Sequence, residues 1–323
     1  FIITGLLLVV PLVFSPGVWF FLFVMLAFQT TLAIDRPAET ALLPTIVDSE
    51  DLLKANALIS IVATLFGLAI GAFLYLALAN DGGFYIVYVA NAAVLLIALL
   101  FSAFLRSPKT TETPTERLQY FSELKAGLVF IKQSVALFLI AFFIFQDIFA
   151  SIAYVNLPQF AELHTGQASG YIILTALAMV GGLIGSYISR ILSPKFEVWK
   201  ILVACFILAG IVRIIFVNVI PQDFSRALWL YVLYVGLGST FGMFFHTLMQ
   251  KLPPKPMIAR VNTITTSLFS AVGALGALLG GLLGMLVSNV DTIFIIQGVS
   301  YIVIGVAMCL SKPIRTLPKI DEI

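Results

Sequence analysis

The chain has 323 residues, 61% of them hydrophobic and 11% charged, with a formal net charge of +2. Soluble domains run at about half apolar and a quarter charged, so a mean hydropathy of +1.09 excludes a water-soluble enzyme, a secreted disulfide scaffold and a disordered tail. The small net charge leaves no basic stripe for tracking nucleic acid, and the surplus apolar surface calls for lipid.

A helix crossing about 30 Å of hydrocarbon needs about 20 mostly apolar residues. In chain order the candidate runs are 1–14, 17–34, 53–79, 84–105, 134–156, 169–192, 200–219, 227–249, 262–287 and 293–311. Segments such as 201–209 lack the apolar–polar alternation of a barrel strand, so the fold class is an all-α membrane protein. The first run would make only about 21 Å of helix. It opens at Phe1 without Met and without the basic segment of a signal peptide, and is expected to belong to a fragment whose true start is missing. Cys205 and Cys309 lie inside apolar runs and form neither a disulfide framework nor, alone, a metal site.

The longest polar stretch, Arg106 to Lys132, divides four runs from six. Residues 107–115 read as a solvated linker. Beyond them, Leu118, Phe121, Leu124, Leu128 and Ile131 fall at helical spacing against Arg117, Glu123 and Lys125. That pattern fits an amphipathic helix on the inner membrane surface or a plain extension of the next span. The expected organisation is an N-terminal bundle remnant (1–105), a linker with an amphipathic helix (106–133), a six-helix bundle (134–312) and a cytoplasmic tail (313–323).

Sixteen of the 18 Lys and Arg residues fall on one side of this parse; the opposite loops hold only Arg226, and Arg213 sits within a run. The positive-inside rule assigns the basic side, and both ends of the chain, to the cytoplasm. A weak internal repeat supports two related halves: Leu42, Lys54, Asn56 and Gly67 recur 206 positions on as Leu248, Arg260, Asn262 and Gly273. Duplication across a cytoplasmic linker points to a transporter that rocks one bundle against the other.

The stretch Arg36-Pro37-Ala38, then Ala41-Leu42-Leu43-Pro44, followed by Lys54-Ala55-Asn56, resembles the major facilitator superfamily and, within it, the macrolide-efflux branch of bacterial drug exporters. The resemblance implies a major facilitator fold of two pseudo-symmetric bundles, with ten of twelve transmembrane helices present and the first two missing. It implies a monomer in the bacterial cytoplasmic membrane that handles a small-molecule substrate and uses the proton gradient, with no cofactor. The sequence departs from the family's drug antiporters at Gly67-Leu68 and Leu74-Tyr75, where a Gly-Pro and a double Gly are common. Gly67 and Gly71 in the first half, and Gly273, Gly276, Gly280, Gly281 and Gly284 in the second, are spaced to let helix backbones approach closely.

Asp147 is the first candidate for chemistry, some thirteen residues into its run. A carboxylate at the bilayer centre costs about 2.5–3.5 kcal/mol on insertion scales and is expected to face a cavity or a partner. Two readings stand: a group that holds either a proton or a cationic substrate, or an acid hydrogen-bonded to a neighbouring helix. By the resemblance its helix is the seventh of the fold and lines the central cavity. Gln29, Thr30, Thr31, Gln146, Ser239 and Thr240 are polar groups suited to that lining or to helix–helix hydrogen bonds. His246, near the basic end of its run, reads as a gate, a packing residue or a proton relay. Arg213 is expected to snorkel to the outer interface, and His164, with Glu162, to be solvated in an outer loop. Gly236, Gly238 and Gly242 read as packing, and no Gly-rich phosphate loop ending in Lys-Ser or Lys-Thr indicates ATP hydrolysis.

The expected function is proton-coupled efflux of small amphipathic molecules by alternating access. The same fold could import or move a metabolite, siderophore or lipid. From other classes come an intramembrane enzyme using Asp147 with a second acid or His246, and a receptor-like structural protein.

Overall fold

The structure, a computed structural model, describes residues 117–323 except 168, 255 and 256, with isolated positions (66, 93, 94, 97 and 100) before them. These belong, from residue 117 on, to one of two compact units into which the chain divides, Pro114–Ile323. The first four runs, the linker, the motif from Arg36 to Asn56, and Gln29, Thr30, Thr31, Gly67 and Gly71 lie outside the described residues.

The elements in order are α1 (Arg117–Gln133), α2 (Ala136–Val155), α3 (Leu157–Thr165), α4 (Ser169–Leu192), α5 (Val198–Val219), α6 (Phe224–Lys251), α7 (Ile258–Leu286), α8 (Asp291–Leu310) and α9 (Lys312–Arg315), with a 3-10 turn at Ile320–Glu322. No strand occurs among the described residues. Six helices, α2 and α4 to α8, are long and apolar enough to cross a membrane, and they coincide with the last six runs read from the sequence to within a few residues. Their backbone groups are satisfied within each helix, as lipid requires. Punctuation is local. Asp223 caps α6 by accepting from the Arg226 amide at 3.0 Å, and Gly166, at φ 69°, ends α3 in the left-handed conformation.

Helices α1 and α2 are separated by a turn at Ser134–Val135, where the Ala136 amide donates to Ser134 Oγ at 3.3 Å. The amphipathic segment is therefore a helix of its own and not an extension of the span. Its predicted apolar stripe is split: Ile131 is buried in the core while Leu128 is exposed. What rests on α7 is Gly127, where a methyl would lie 2.9 Å from Ile264 Cδ1.

The spanning helices associate chiefly as α2 with α7 and α8, α5 with α8 and α6, and α4 with α6. Three of these contacts are glycine seams. On α2–α7, a methyl at Gly276 would sit 3.0 Å from the Ile148 carbonyl and one at Gly280 2.8 Å from that of Ile152. Asn156 locks this seam by donating from Nδ2 to the carbonyls of Gly280 (2.9 Å) and Ile152 (2.8 Å). On α4–α6, Gly181 and Gly185 lie against the Val232 and Gly236 carbonyls, and Thr240 donates to the Gly185 carbonyl at 3.1 Å. On α5–α8, Gly210 and Gly298 face each other's carbonyls. Lipid offers no hydrophobic drive for helix association, so close backbone approach and hydrogen bonds across the seam carry it. Of the Gly236–Gly242 run, Gly236 belongs to a seam; at Gly242 nothing lies where a methyl would point.

The stretch 313–323, read from sequence as a tail, folds back onto the basic end of the bundle. Ile314, Leu317 and Ile320 are buried in the core, Pro318 accepts from the Val198 amide at 3.0 Å, and Lys251 Nζ donates to the Ile320 carbonyl at 2.6 Å. At the same end Lys200 hydrogen-bonds Glu197 and holds its carboxyl below the usual range, and Trp199 donates to Glu197 Oε2 at 2.9 Å. Aromatic and basic side chains of this kind mark a membrane–water interface.

The α4–α6 seam gives a direct test on one helix. Nothing lies within 4 Å of a methyl at Gly182, whereas one at Gly185 meets the Gly236 backbone. Gly182→Ala should be neutral or stabilise by up to about 1 kcal/mol through helix propensity. Gly185→Ala should cost about 1–3 kcal/mol by overpacking. Thermal unfolding of the purified variants in detergent checks this; equal shifts would contradict the seam.

Candidate functional site

The spanning helices enclose an open cavity of about 610 Å³, lined from α2, α5, α6, α7 and α8 among others. Its lining runs from mid-length of α2 at Gln146 and Asp147 to that helix's end at Tyr154 and Val155. Asp147 stands about 17 Å of helix from the start of α2 and about 12 Å from its end. Gln146 and Asp147, adjacent on α2, diverge. Gln146 Nε2 donates to the Tyr301 hydroxyl on α8 at 3.0 Å. Asp147 turns toward α7, where Gly273 leaves it room: a methyl there would lie 3.5 Å from Asp147 Oδ2. The Asp147 carboxyl is half-buried, lines the cavity, and has no ion pair or hydrogen bond among the described residues.

Arg213 lines the same cavity, and here the sequence expectation is corrected. Arg213 does not snorkel; it is 3% exposed. Although it is only six residues from the end of α5, it lies on the face that packs against α8 and α6, so its side chain runs inward instead of along lipid. Its Nε donates to Gln297 Oε1 at 2.9 Å, and Gln297 Nε2 donates to the Tyr234 hydroxyl at 3.0 Å. The guanidinium carbon lies 4.4 Å from the centroid of Tyr234, 4.6 Å from Phe294, 5.4 Å from Phe216 and 5.8 Å from Tyr231. Ring faces are negative and attract a desolvated cation, which offsets part of the cost of burying it. The offset is incomplete: no carboxylate pairs with Arg213 among the described residues, and its Nη1 is buried without a hydrogen-bond partner.

The cavity lining therefore holds two chemically distinct sets of groups. One is the Asp147 carboxyl with Ser151 beside Gly273. The other is the Arg213 guanidinium with Gln297 and Tyr234. Tyr234 packs against both apolar clusters of the core, one built on Phe143, Phe206 and Phe241, the other on Phe160, Phe216 and Phe294.

The predicted residues separate accordingly. Asp147, Gln146 and Ser239 share the cavity lining, and Ser239 also donates to the Gly182 carbonyl across the α4–α6 seam at 2.9 Å. Thr240 serves that seam. His246 is exposed, meets the Phe245 ring edge-on at 5.9 Å between centroids, and does not line the cavity. His164 is a second correction. It lies on α3 and not in a loop; its side chain is 7% exposed, and Nε2 sits 2.7 Å from Asp291 Oδ1, with the ring 4.6 Å from Phe160. The helix forms because Pro158 fits its first turn, and it carries His164 onto the start of α8. Sequence reasoning missed Tyr234, Gln297 and Tyr301. The available signal was the i, i+4 pair Gln297 and Tyr301, which share one face of α8, opposite a lone membrane arginine.

The profile of the Major Facilitator Superfamily matches residues 1–277 of this chain. The chain is also similar to the uncharacterized MFS-type transporter YvqJ of Bacillus subtilis (strain 168), at 27% identity over 228 residues, covering 65% of this chain and 50% of YvqJ. The chain thus spans about half the length of the curated relative it matches.

Gln297 is the keystone of the second set, and Gln297→Ala strands both Arg213 Nε and the Tyr234 hydroxyl. The variant should lose about 1–3 kcal/mol of stability, the cost of leaving a buried polar group unpaired. Asn218→Ala, an exposed site on the same helix as Arg213, should stay within about 0.5 kcal/mol of the parent. Thermal unfolding side by side reads the difference.

Proposed function

The chain belongs to the Major Facilitator Superfamily, and on that premise we propose that it is part of a secondary active transporter that moves small amphipathic molecules out of a bacterial cell in exchange for protons. The observation that carries this reading is Asp147: an acid at mid-depth of a membrane helix, unpaired among the described residues and lining a cavity of molecular size. An intramembrane acid in such a place is a functional group by default. A carboxyl that holds either a proton or a cationic group, and not both, makes the release of one the condition for binding the other. Apolar and aromatic walls with a few polar anchors suit amphipathic cargo.

In this reading the basic side faces the cytoplasm, the two related halves rock about the linker near residues 106–133, and the cavity opens to each side by turns. The glycine seams supply the rigid units that such rocking needs. The competing reading as an intramembrane enzyme needs a second acid or His246 beside Asp147. His246 is outside the cavity lining, and Asp147 is the one acid among the described residues that lines it.

In the full-length protein, Asp147→Asn should lower proton-coupled efflux at least tenfold while expression and membrane insertion stay at the parent level. The measurements are compound accumulation in an efflux-deficient host and substrate-induced proton release in vesicles. Unchanged proton release would remove Asp147 from the coupling step.

A further inference from the structure

The proton-exchange reading uses Asp147 and leaves the other charged group of the cavity lining, Arg213, unexplained. A buried guanidinium is among the more costly groups to place in a membrane bundle, and a structural arginine normally has an acid partner. Arg213 has none among the described residues; a neutral amide, Gln297, takes its Nε proton, and Nη1 has no acceptor. An amide partner orients a guanidinium without neutralising it, so the positive charge stays available to a ligand. The neighbouring groups share that bias. Gln297 donates to the Tyr234 hydroxyl and Gln146 to that of Tyr301, and the Tyr301 hydroxyl pairs in turn with that of Tyr234, so Tyr234, which already accepts, is the hydroxyl left to offer its proton.

We infer that Arg213, with the Tyr234 hydroxyl beside it, is a binding subsite for an anionic group, and that the substrate is a zwitterionic amphipath. Its carboxylate or phosphate rests on Arg213, its cationic group meets Asp147 in place of the proton, and its apolar body lies along the aromatic lining between them. A guanidinium suits this role because its fork matches the two oxygens of such an anion. The zwitterionic assignment rests on the proton-exchange reading. The anion subsite stands on the geometry of Arg213 alone.

The test uses the full-length protein in lipid nanodiscs at neutral pH, with empty discs as the partition blank. Four eight-carbon probes differ only in their end groups: octanoate, octanamide, octylamine and 8-aminooctanoate. Octanoate should bind the parent about tenfold tighter than octanamide, and 8-aminooctanoate tighter than either octanoate or octylamine. Arg213→Gln should weaken octanoate and 8-aminooctanoate about tenfold or more and leave octylamine unchanged. Arg213→Lys should keep most of the octanoate preference. Asp147→Asn should weaken octylamine and spare octanoate.

Equal binding of octanoate and octanamide by the parent, or no binding of either, overturns the subsite without any variant being needed. An unchanged octanoate preference in Arg213→Gln does the same. Octanoate binding with no gain for 8-aminooctanoate overturns the zwitterionic assignment. Loss of the Asp147→Asn effect on octylamine with the octanoate pattern intact contradicts the exchange reading and leaves the anion subsite standing.

Discussion

Moving a guanidinium out of water into a membrane bundle is strongly unfavourable, and the second half of this protein is arranged around one such group. Arg213 lies beneath the surface of α5 with an amide and four aromatic rings around it, and no acid among the described residues to neutralise it. The rings do double service, as the inner packing of α6 and α8 and as the negative faces that make burial of the charge tolerable. Gln297 links the guanidinium to Tyr234 and ties α5, α8 and α6 together through side chains. Asp147 has the complementary environment in the same cavity lining, with room left by the missing side chain at Gly273.

Packing of the spanning helices is concentrated in their glycine seams. In the seams α2–α7, α4–α6 and α5–α8, backbones approach so closely that a single methyl would collide. Asn156, Ser239 and Thr240 spend their hydrogen bonds across these contacts. Tight helix pairs border the cavity, and Ser239 serves both the α4–α6 seam and the cavity lining. At the basic end, the folded-back stretch from Lys312 to Ile323 seals the core with Ile314, Leu317 and Ile320. The bundle therefore carries its own cap on that side.

Much of this was legible from residue order. The six spans from 134 onward follow from hydropathy alone, because lipid leaves helices as the way to satisfy backbone groups in runs without alternation. The glycines of α7 and the mid-membrane place of Asp147 are properties of one helix, and one helix can be read from one run. What escaped reading depends on partners far along the chain. Arg213 meets Gln297 84 positions away and His164 meets Asp291 127 positions away; no local pattern distinguishes an arginine that snorkels from one that turns inward. Gly181, Gly185, Gly210 and Gly298 were equally silent, since a seam needs both helices to be placed before either glycine has a role. Leu128 and Ile131 share a periodic stripe, yet one is exposed and the other buried; helical spacing does not say how much of a stripe the core takes.

The central claim is that a water-accessible cavity containing Asp147 and Arg213 opens to the two sides of the membrane in turn. Ala277 lines that cavity on α7, and a cysteine there, in full-length protein whose Cys205 and Cys309 have been replaced, can be probed in oriented vesicles with a membrane-impermeant thiol reagent. The account predicts labelling from either side, with substrate shifting the balance between the two rates. A thiol at 277 that is inert from both sides, or reacts from one side alone whatever ligand or proton gradient is applied, would contradict it.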